Sequence, residues 1–390
     1  GACWGVCMSR IYSLEGEFEG QAVLHISAGA EHFAAVTQER GQLWTWGNGN
    51  CGQLGHGNKR SCKIPRLVET VEGLPMRHVH CGYWTTFCVS QQGHSFGCGW
   101  NNYRQVKTSR NHKGKQDCVL WPEPLLLPDT VCEFSCGSLH SAVRTADGRM
   151  LVWGDSWFAQ CAHPSPQHRG ILASPLPNEE ELQVCMLAQG DFHSCVVTRP
   201  RVAASSLGQD QGNSTPGNHV YVWGRNGASR RLGLPSEELV VVEPTLLDPY
   251  LPFSLDKDPI VDISCGDFCN ILCTESGRVV TWGEQVNGVM VPTEIECPVE
   301  HGERGERVVA VSAGGGHFLM VSNFGHLYSF GNGHYGRLGH GDEHDLLEPM
   351  LVEAFREEVI VEAECGLWSS CALSEQGTVY VWGKNVAGTP

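Results

Sequence analysis

One short block recurs seven times along the chain, and no other feature limits its fold so severely. The copies read SAGAEHFAAV (27–36), HCGYWTTFCV (80–89), SCGSLHSAVR (135–144), AQGDFHSCVV (188–197), SCGDFCNILC (264–273), SAGGGHFLMV (312–321) and ECGLWSSCAL (364–373). Their anchor glycines are Gly29, Gly82, Gly137, Gly190, Gly266, Gly314 and Gly366, at spacings of 53, 55, 53, 76, 48 and 52 residues. A second run follows each block and ends in an aromatic-glycine pair or its equivalent, at Gly47, Gly99, Gly154, Gly224, Gly283, Gly331 and Gly383. The second glycine trails the first by 18, 17, 17, 34, 17, 17 and 17 residues. The doubled fourth value marks an insertion over 201–218, a polar, Gly/Ser-rich stretch that reads as a flexible surface loop.

Inside each repeat the residues alternate apolar with small or polar and are rich in β-branched and aromatic types, as in HSAVRT, RMLVWG and TVYVWG. Asp147-Gly148, Ser276-Gly277 and Gln376-Gly377 separate consecutive runs as hairpin turns do. Gly/Asn-rich segments (47–57, 331–341) then lead to Pro-containing runs such as IPRLV (64–68), EPTLL (243–247) and EPMLV (348–352). Three or four short strands in units of roughly 50 residues, seven times over, predict an all-β chain folded as a single seven-bladed β-propeller over 1–390. The last repeat lacks its Pro-containing run, whereas SRIYSLEG (9–16) matches PRLVETVEG (65–73). The N-terminal segment is therefore expected to complete the C-terminal blade and remove an open edge. Trp4-Gly5 is an extra aromatic-glycine pair with no place in the series.

Charge and cysteine content bound the function. Lys+Arg 27 against Asp+Glu 43 gives a net charge of −16, which opposes nucleic acid and anionic membranes and favours a protein partner with a basic surface. No window has the length of apolar sequence that a membrane span needs, and no charged-then-apolar leader opens the chain. The opening Gly1-Ala2 reads as a cloning scar, with the chain a fragment of a larger protein. Nineteen cysteines is an odd number in a long chain, and many stand at repeat positions: Cys81, Cys136, Cys265 and Cys365 before anchor glycines, Cys88, Cys195, Cys273 and Cys371 within apolar runs. They read as small buried hydrophobes in a reducing intracellular compartment, nuclear or cytoplasmic.

CGSLHS (136–141), DGRMLVWG (147–154) and GNGNCGQLGHG (47–57) resemble the regulator of chromosome condensation repeat family, and the resemblance runs over almost the whole chain. It implies a seven-bladed propeller in which each repeat spans parts of two blades. The family's founding member is a guanine nucleotide exchange factor for the nuclear GTPase Ran, so exchange on a Ran-like small GTPase is one implied activity. A non-exchange scaffold or substrate-recognition domain, as in ubiquitin ligases or ciliary proteins of the family, is the other. Acidic residues and a histidine on one face serve exchange in that branch. Its Gly-Asp-x-His turn matches Gly190-Asp191-Phe192-His193, and Gly266-Asp267-Phe268-Cys269 matches except at its last residue. His317 stands in a turn comparable to the histidine-bearing one. The resemblance thus offers Asp191, Asp267 and His317 as exchange residues. Residues 284–290 resemble that branch's projecting wedge, although they are few; its basic nuclear-targeting arm has no counterpart, and the tryptophan-Arg-His turns of the family's photoreceptor are missing.

Other apparent motifs dissolve on inspection. The GxGxxG strings at Gly47 and Gly331 lack the following helix whose amides would hold phosphate, so no nucleotide cofactor is expected. His32, His140, His193 and His317 each follow an anchor glycine by three residues, and such recurrence suits a structural hydrogen bond closing each turn. No C-x2-C pair or other metal spacing is present, so no metal is expected, and no nucleophile–base pair supports covalent catalysis. Asn213-Ser214-Thr215 would matter as a sequon only in a secreted protein.

The two positions between anchor glycine and histidine are the informative ones, because a turn projects them from one face around the central funnel. The first reads Ala30, Tyr83, Ser138, Asp191, Asp267, Gly315 and Leu367, and the second Glu31, Trp84, Leu139, Phe192, Phe268, Gly316 and Trp368. Large apolar side chains are foreign to turns. Two readings stand: Tyr83, Trp84, Leu139, Phe192, Phe268, Leu367 and Trp368, with Glu31 on the rim, anchor a protein partner, or the rings fold inward and plug the channel.

Overall fold

The computed structural model describes residues 10–106, 118–128, 130–163, 165, 171–173, 175–178, 180–201, 218–228, 230–284, 290–298 and 305–384. Within them the chain forms seven four-stranded antiparallel sheets arranged as the blades of a propeller. The innermost strands, in chain order, are Val23–Ala28, Met76–Cys81, Val131–Cys136, Leu182–Gln189, Ile260–Cys265, Val308–Ala313 and Ile360–Cys365. We number the blades 1 to 7 in that order. Each blade is a simple meander running outward, except that blade 7 borrows its outer strand from the other end of the chain. Tyr12 pairs with Val381 and Ser13 with Tyr380, as the N-terminal match to other Pro-containing runs predicts.

Packing follows directly from the repeat. Every residue of the second strand in blades 1, 2, 5, 6 and 7 is buried, because those strands lie between neighbouring blades with both faces covered. The tryptophans before the third-strand glycines, Trp46, Trp153, Trp223, Trp282 and Trp382, are among the largest fully buried side chains. Three of them reach back to the preceding blade's loop: Trp153, Trp223 and Trp382 donate Nε1–H to the carbonyls of Gln105, Gln160 and Arg337. The aromatic-glycine signature is thus an interblade joint.

The glycines are required by space. A Cβ on any anchor glycine would lie within 3.5 Å of the next anchor glycine's carbonyl oxygen, and Gly366 meets Gly29 to close the circle. Seven backbones approach here as only glycine allows. The third-strand glycines, Gly47 to Gly383 in the same series, instead all take φ between 97° and 113°, a region closed to other residues.

Each innermost strand carries one extra residue at the same place, for example between Val23 and His25 and between Ile260 and Asp262. Carboxylates beside these bulges bind the next blade's amide: Asp262 accepts from Val311 N–H and Glu362 from Ile26 N–H. The outer strands are guarded against stray pairing by Pro65, Pro122, Pro244 and Pro349, or are only two or three residues long, as at Leu172–Ala173 and Thr293–Ile295.

Among the described residues no helix is long and apolar enough to cross a membrane. All described cysteines are free thiols, and burial pushes those of Cys88 and Cys136 up to about 12, which leaves them inert. The expected insertion over 201–218 falls between the second and third strands of blade 4, with 202–217 outside the described residues. The sequon, Trp4-Gly5 and 285–289 of the wedge-like segment lie outside them too.

Candidate functional site

A two-residue turn links the first and second strands of every blade and is closed by the anchor glycine amide, as in Gly29 N–H to His32 O at 2.8 Å. The histidines do not perform that closure. Their rings cross to the next blade: His32 Nε2 meets Thr86 Oγ1 at 2.9 Å, His140 meets Gln189, His193 meets Asn270 and His317 meets Ser370. Several acceptors are held in turn by the loop behind them, Thr86 by the Gln53 carbonyl and Ser370 by that of Arg337. The structural reading holds, but the bond ties blades together rather than closing a turn. It also removes His317 from the exposed face. That side chain is completely buried, and burial above all pushes its imidazole down to about 3, so it stays uncharged.

The two turn positions separate by direction. First-position residues Ala30, Tyr83, Ser138, Asp191, Asp267 and Leu367 line the mouth of a central channel of about 460 Å³. The second-position side chains are absent from its lining and lie over the blades, so their rings do not plug it. Asp191 accepts a hydrogen bond from Ser138, and burial pushes its carboxyl up. Asp267, on the adjacent blade, is pushed up to about 7 by burial and then by the Asp191 charge, while Arg231 and Arg337 oppose the shift. Burial and these same carboxylates push the Tyr83 hydroxyl upward. The mouth is therefore a cramped acidic rim.

Around it the aromatic residues gather with partners that the turn positions alone do not reveal. Trp84 packs edge-on against Tyr83 at 4.5 Å and Trp100 at 5.0 Å, and Tyr103 continues the run. Phe192 meets Phe158, with the Arg225 guanidinium 4.6 Å above Phe158. Arg231 lies 4.8 Å over Phe268, and Arg337 lies 4.9 Å over Trp368 with Tyr335 beside it. Lys384 stacks on Trp368 and approaches Glu31, which also accepts from Asn48. Leu139 and Leu367 are half-buried. The patch is thus aromatic with interleaved cations, and its acids belong to the channel mouth apart from Glu31. Tyr103, Phe158 and Tyr335 each follow a third-strand glycine by four residues, a spacing that could have flagged them. Trp157, the neighbour of Phe158, is 69% exposed.

The comparisons agree with this architecture. A profile of the regulator of chromosome condensation (RCC1) repeat matches residues 40–89, 218–273 and 325–373, and a second profile of that repeat matches 23–53, 131–157 and 360–389. Together they cover more than half of the chain. The ultraviolet-B receptor UVR8 of Arabidopsis thaliana is 25% identical over 94% of this chain and 78% of its own length. The E3 ubiquitin-protein ligase HERC2 of Homo sapiens is 24% identical over 95% of this chain, which spans only 7% of that protein. Among solved structures, human WBSCR16 superposes with a TM-score of 0.72 at 18% identity, over 95% of this chain and 88% of that one. Prp20p of Saccharomyces cerevisiae does so with 0.67 at 17%, over 94% and 83%. Those two likenesses establish a shared fold. With sevenfold repeats, closed ring and matching profiles in place, the chain belongs to the regulator of chromosome condensation repeat family.

Proposed function

We propose that this propeller binds a protein partner through the face bearing the channel mouth and acts as a guanine nucleotide exchange factor for a Ran-like small GTPase. The observation that carries the proposal is the ring of half-buried or exposed aromatic side chains around Asp191 and Asp267. Such groups anchor protein interfaces, since they bury large area at little entropic cost. Exchange needs no covalent chemistry: the factor binds the nucleotide-free GTPase better than the loaded one, and that difference drives release. A basic group of the partner entering the mouth would draw Asp267 toward its ionised form and gain a charge-assisted contact there and not in bulk solvent. Prp20p is described by its binding to Gsp1p and histones, and a homologue of the X-linked retinitis pigmentosa GTPase regulator from Caenorhabditis elegans is 25% identical to this chain. Both are consistent with a protein partner. The proposal includes a nuclear or cytoplasmic location and no direct nucleic-acid binding.

The test is release of a fluorescent GDP analogue from a panel of small GTPases including Ran. The expected result is strong acceleration of one member, cut at least tenfold by Asp191→Ala while the circular dichroism and melting curve stay unchanged. No acceleration of any GTPase would overturn exchange and leave a binding module.

A further inference from the structure

At six of the seven blade junctions the repeat sets apolar or mixed residues beside the interblade histidine position. The junction between blades 4 and 5 differs. His193 and Cys195 on the second strand of blade 4 meet Cys265, the last residue of the innermost strand of blade 5. A ring nitrogen of His193 and the two Sγ atoms all lie within 4.8 Å of one another. No other junction has this composition. The positions equivalent to Cys195 and Cys265 hold Ala34 and Cys81, Phe87 and Cys136, Ala142 and Gln189, Ile271 and Ala313, Leu319 and Cys365, or Cys371 and Ala28 elsewhere. Among the described residues no second group of three such ligands occurs.

We propose that His193, Cys195 and Cys265 form a buried site for a divalent cation of the zinc class, stapling blade 4 to blade 5. Two thiols and an imidazole are the soft donor set that selects zinc over magnesium or calcium. Tetrahedral coordination with bonds near 2.0–2.3 Å sets donors roughly 3.3–3.8 Å apart, within the 4.8 Å limit that these three atoms meet, so at most a small contraction completes the site. Charge fits as well. His193 is completely buried, Cys195 likewise, and two thiolates neutralise one divalent cation without a further counter-ion. Binding releases two thiol protons to solvent, one from each cysteine, and leaves the imidazole neutral. The surroundings orient the donors. Asn270 Nδ2 donates to the Arg231 carbonyl at 2.6 Å, which turns its Oδ1 toward His193 at 2.6 Å and Cys195 at 3.8 Å. The Asn270 Oδ1, accepting from His193 Nε2, fixes the imidazole tautomer as second-shell groups do. His193 Nδ1 has no hydrogen-bond partner. The same holds at His32, His140 and His317, but only His193 has two thiols within reach. Cys265 lines the central channel, which gives an ion a route in.

The sequence gives no hint of such a site because its ligands come from different blades, with no recognisable spacing. The site is independent of partner binding. Its test uses the purified chain, stripped with chelator and titrated with Zn2+ and with Co2+. One equivalent should bind, Co2+ should show thiolate charge-transfer and tetrahedral d–d bands, and Zn2+ should raise the melting temperature. Cys195→Ala and Cys265→Ala should abolish the bands, and the repeat itself carries alanine at both positions in other blades, Ala34 and Ala313 among them. Cys371→Ala, at the same repeat position in blade 7 where Ser369 replaces histidine, should leave binding intact. His193→Thr, which copies Thr85 of blade 2, serves if an alanine variant does not fold. Absence of stoichiometric binding, or bands that persist in both alanine variants or in His193→Thr, would overturn the site.

Discussion

Glu364 occupies a position that the repeat usually gives to serine. In blades 1, 3, 5 and 6 the residue two before the anchor glycine is Ser27, Ser135, Ser264 or Ser312, and each accepts the next blade's amide, as Ser27 does from Cys81 N–H at 3.0 Å. In blade 7 a carboxyl stands there, inside the channel. Burial and then the Glu362 charge push it up to about 8. Its ordinary value is 4.5, so between these limits the folded chain holds a proton that the unfolded chain releases. The folded state is therefore disfavoured progressively as pH rises through that window, and no penalty remains below it. Glu364→Gln should stabilise the protein by ~1–3 kcal/mol at about pH 8.5, after allowing for screening by channel water, and change little at about pH 4.5. Urea unfolding at the two values checks this, and equal gains at both would refute it. Position in the repeat was readable here, whereas the consequence was not: a sequence shows a carboxyl at a serine position, but only the closed ring shows how little water surrounds it.

At the scale of strands, the structure rewards arithmetic based on local spacing and defeats arithmetic that crosses blades. Hairpins, third-strand glycines and the N-terminal closing strand were legible because each is set by neighbours a few residues away or by a match in pattern. The interblade joints were not. His317 looked like a candidate for the face, yet it bonds Ser370 on the following blade, 53 residues on. Likewise Arg231 and Arg337 stand where other repeats have Gln53, Gln105 and Gln160, and nothing in that alignment says their guanidinium groups would cap Phe268 and Trp368. The closing strand gives a prediction at this scale. Tyr12–Ser13 covers the edge of Val379–Gly383, and Leu14 and Phe18 are buried in the core between blades 7 and 1. Deleting residues 1–14 should lower stability by ~2–5 kcal/mol, since it removes the buried Leu14 and exposes an unpaired edge. Calorimetry should show an earlier transition, and light scattering an increased tendency to associate. A melting curve matching that of the intact chain would show that the strand contributes nothing.

For the molecule as a whole, the aromatic and acidic groups gathered at the channel mouth mark where binding is predicted. Sequence reading placed the aromatic turn residues on one face and left open whether they face outward or block the channel. Geometry separates the two turn positions, with Tyr83 and Leu367 at the mouth and Trp84, Phe192, Phe268 and Trp368 over the blades. Trp84→Ala and Trp368→Ala should each weaken a partner bound at this face by ~1–4 kcal/mol with little change in folding. Calorimetric titration with a partner identified by exchange would show it, and unaltered affinity in both variants would move the interface elsewhere. The net charge of −16 favours faster association with a basic partner at low salt, so the on-rate should fall as ionic strength rises.

The circle of anchor glycines also sets rules for how such a chain can vary. Seven backbones close on one another with no slack, so the number of blades is quantised: gaining or losing one repeat would force all the remaining junctions to a new angle at once. The two-residue turns closed by the anchor glycines keep one length in every blade, and the largest length change falls at the opposite end. The one long insertion, centred between Pro200 and His219, sits in a connection between second and third strands, at the other end from the glycine circle. The turns at the hub can change identity but not length, which makes them places where partner choice can be rewritten by point substitution while the frame holds still.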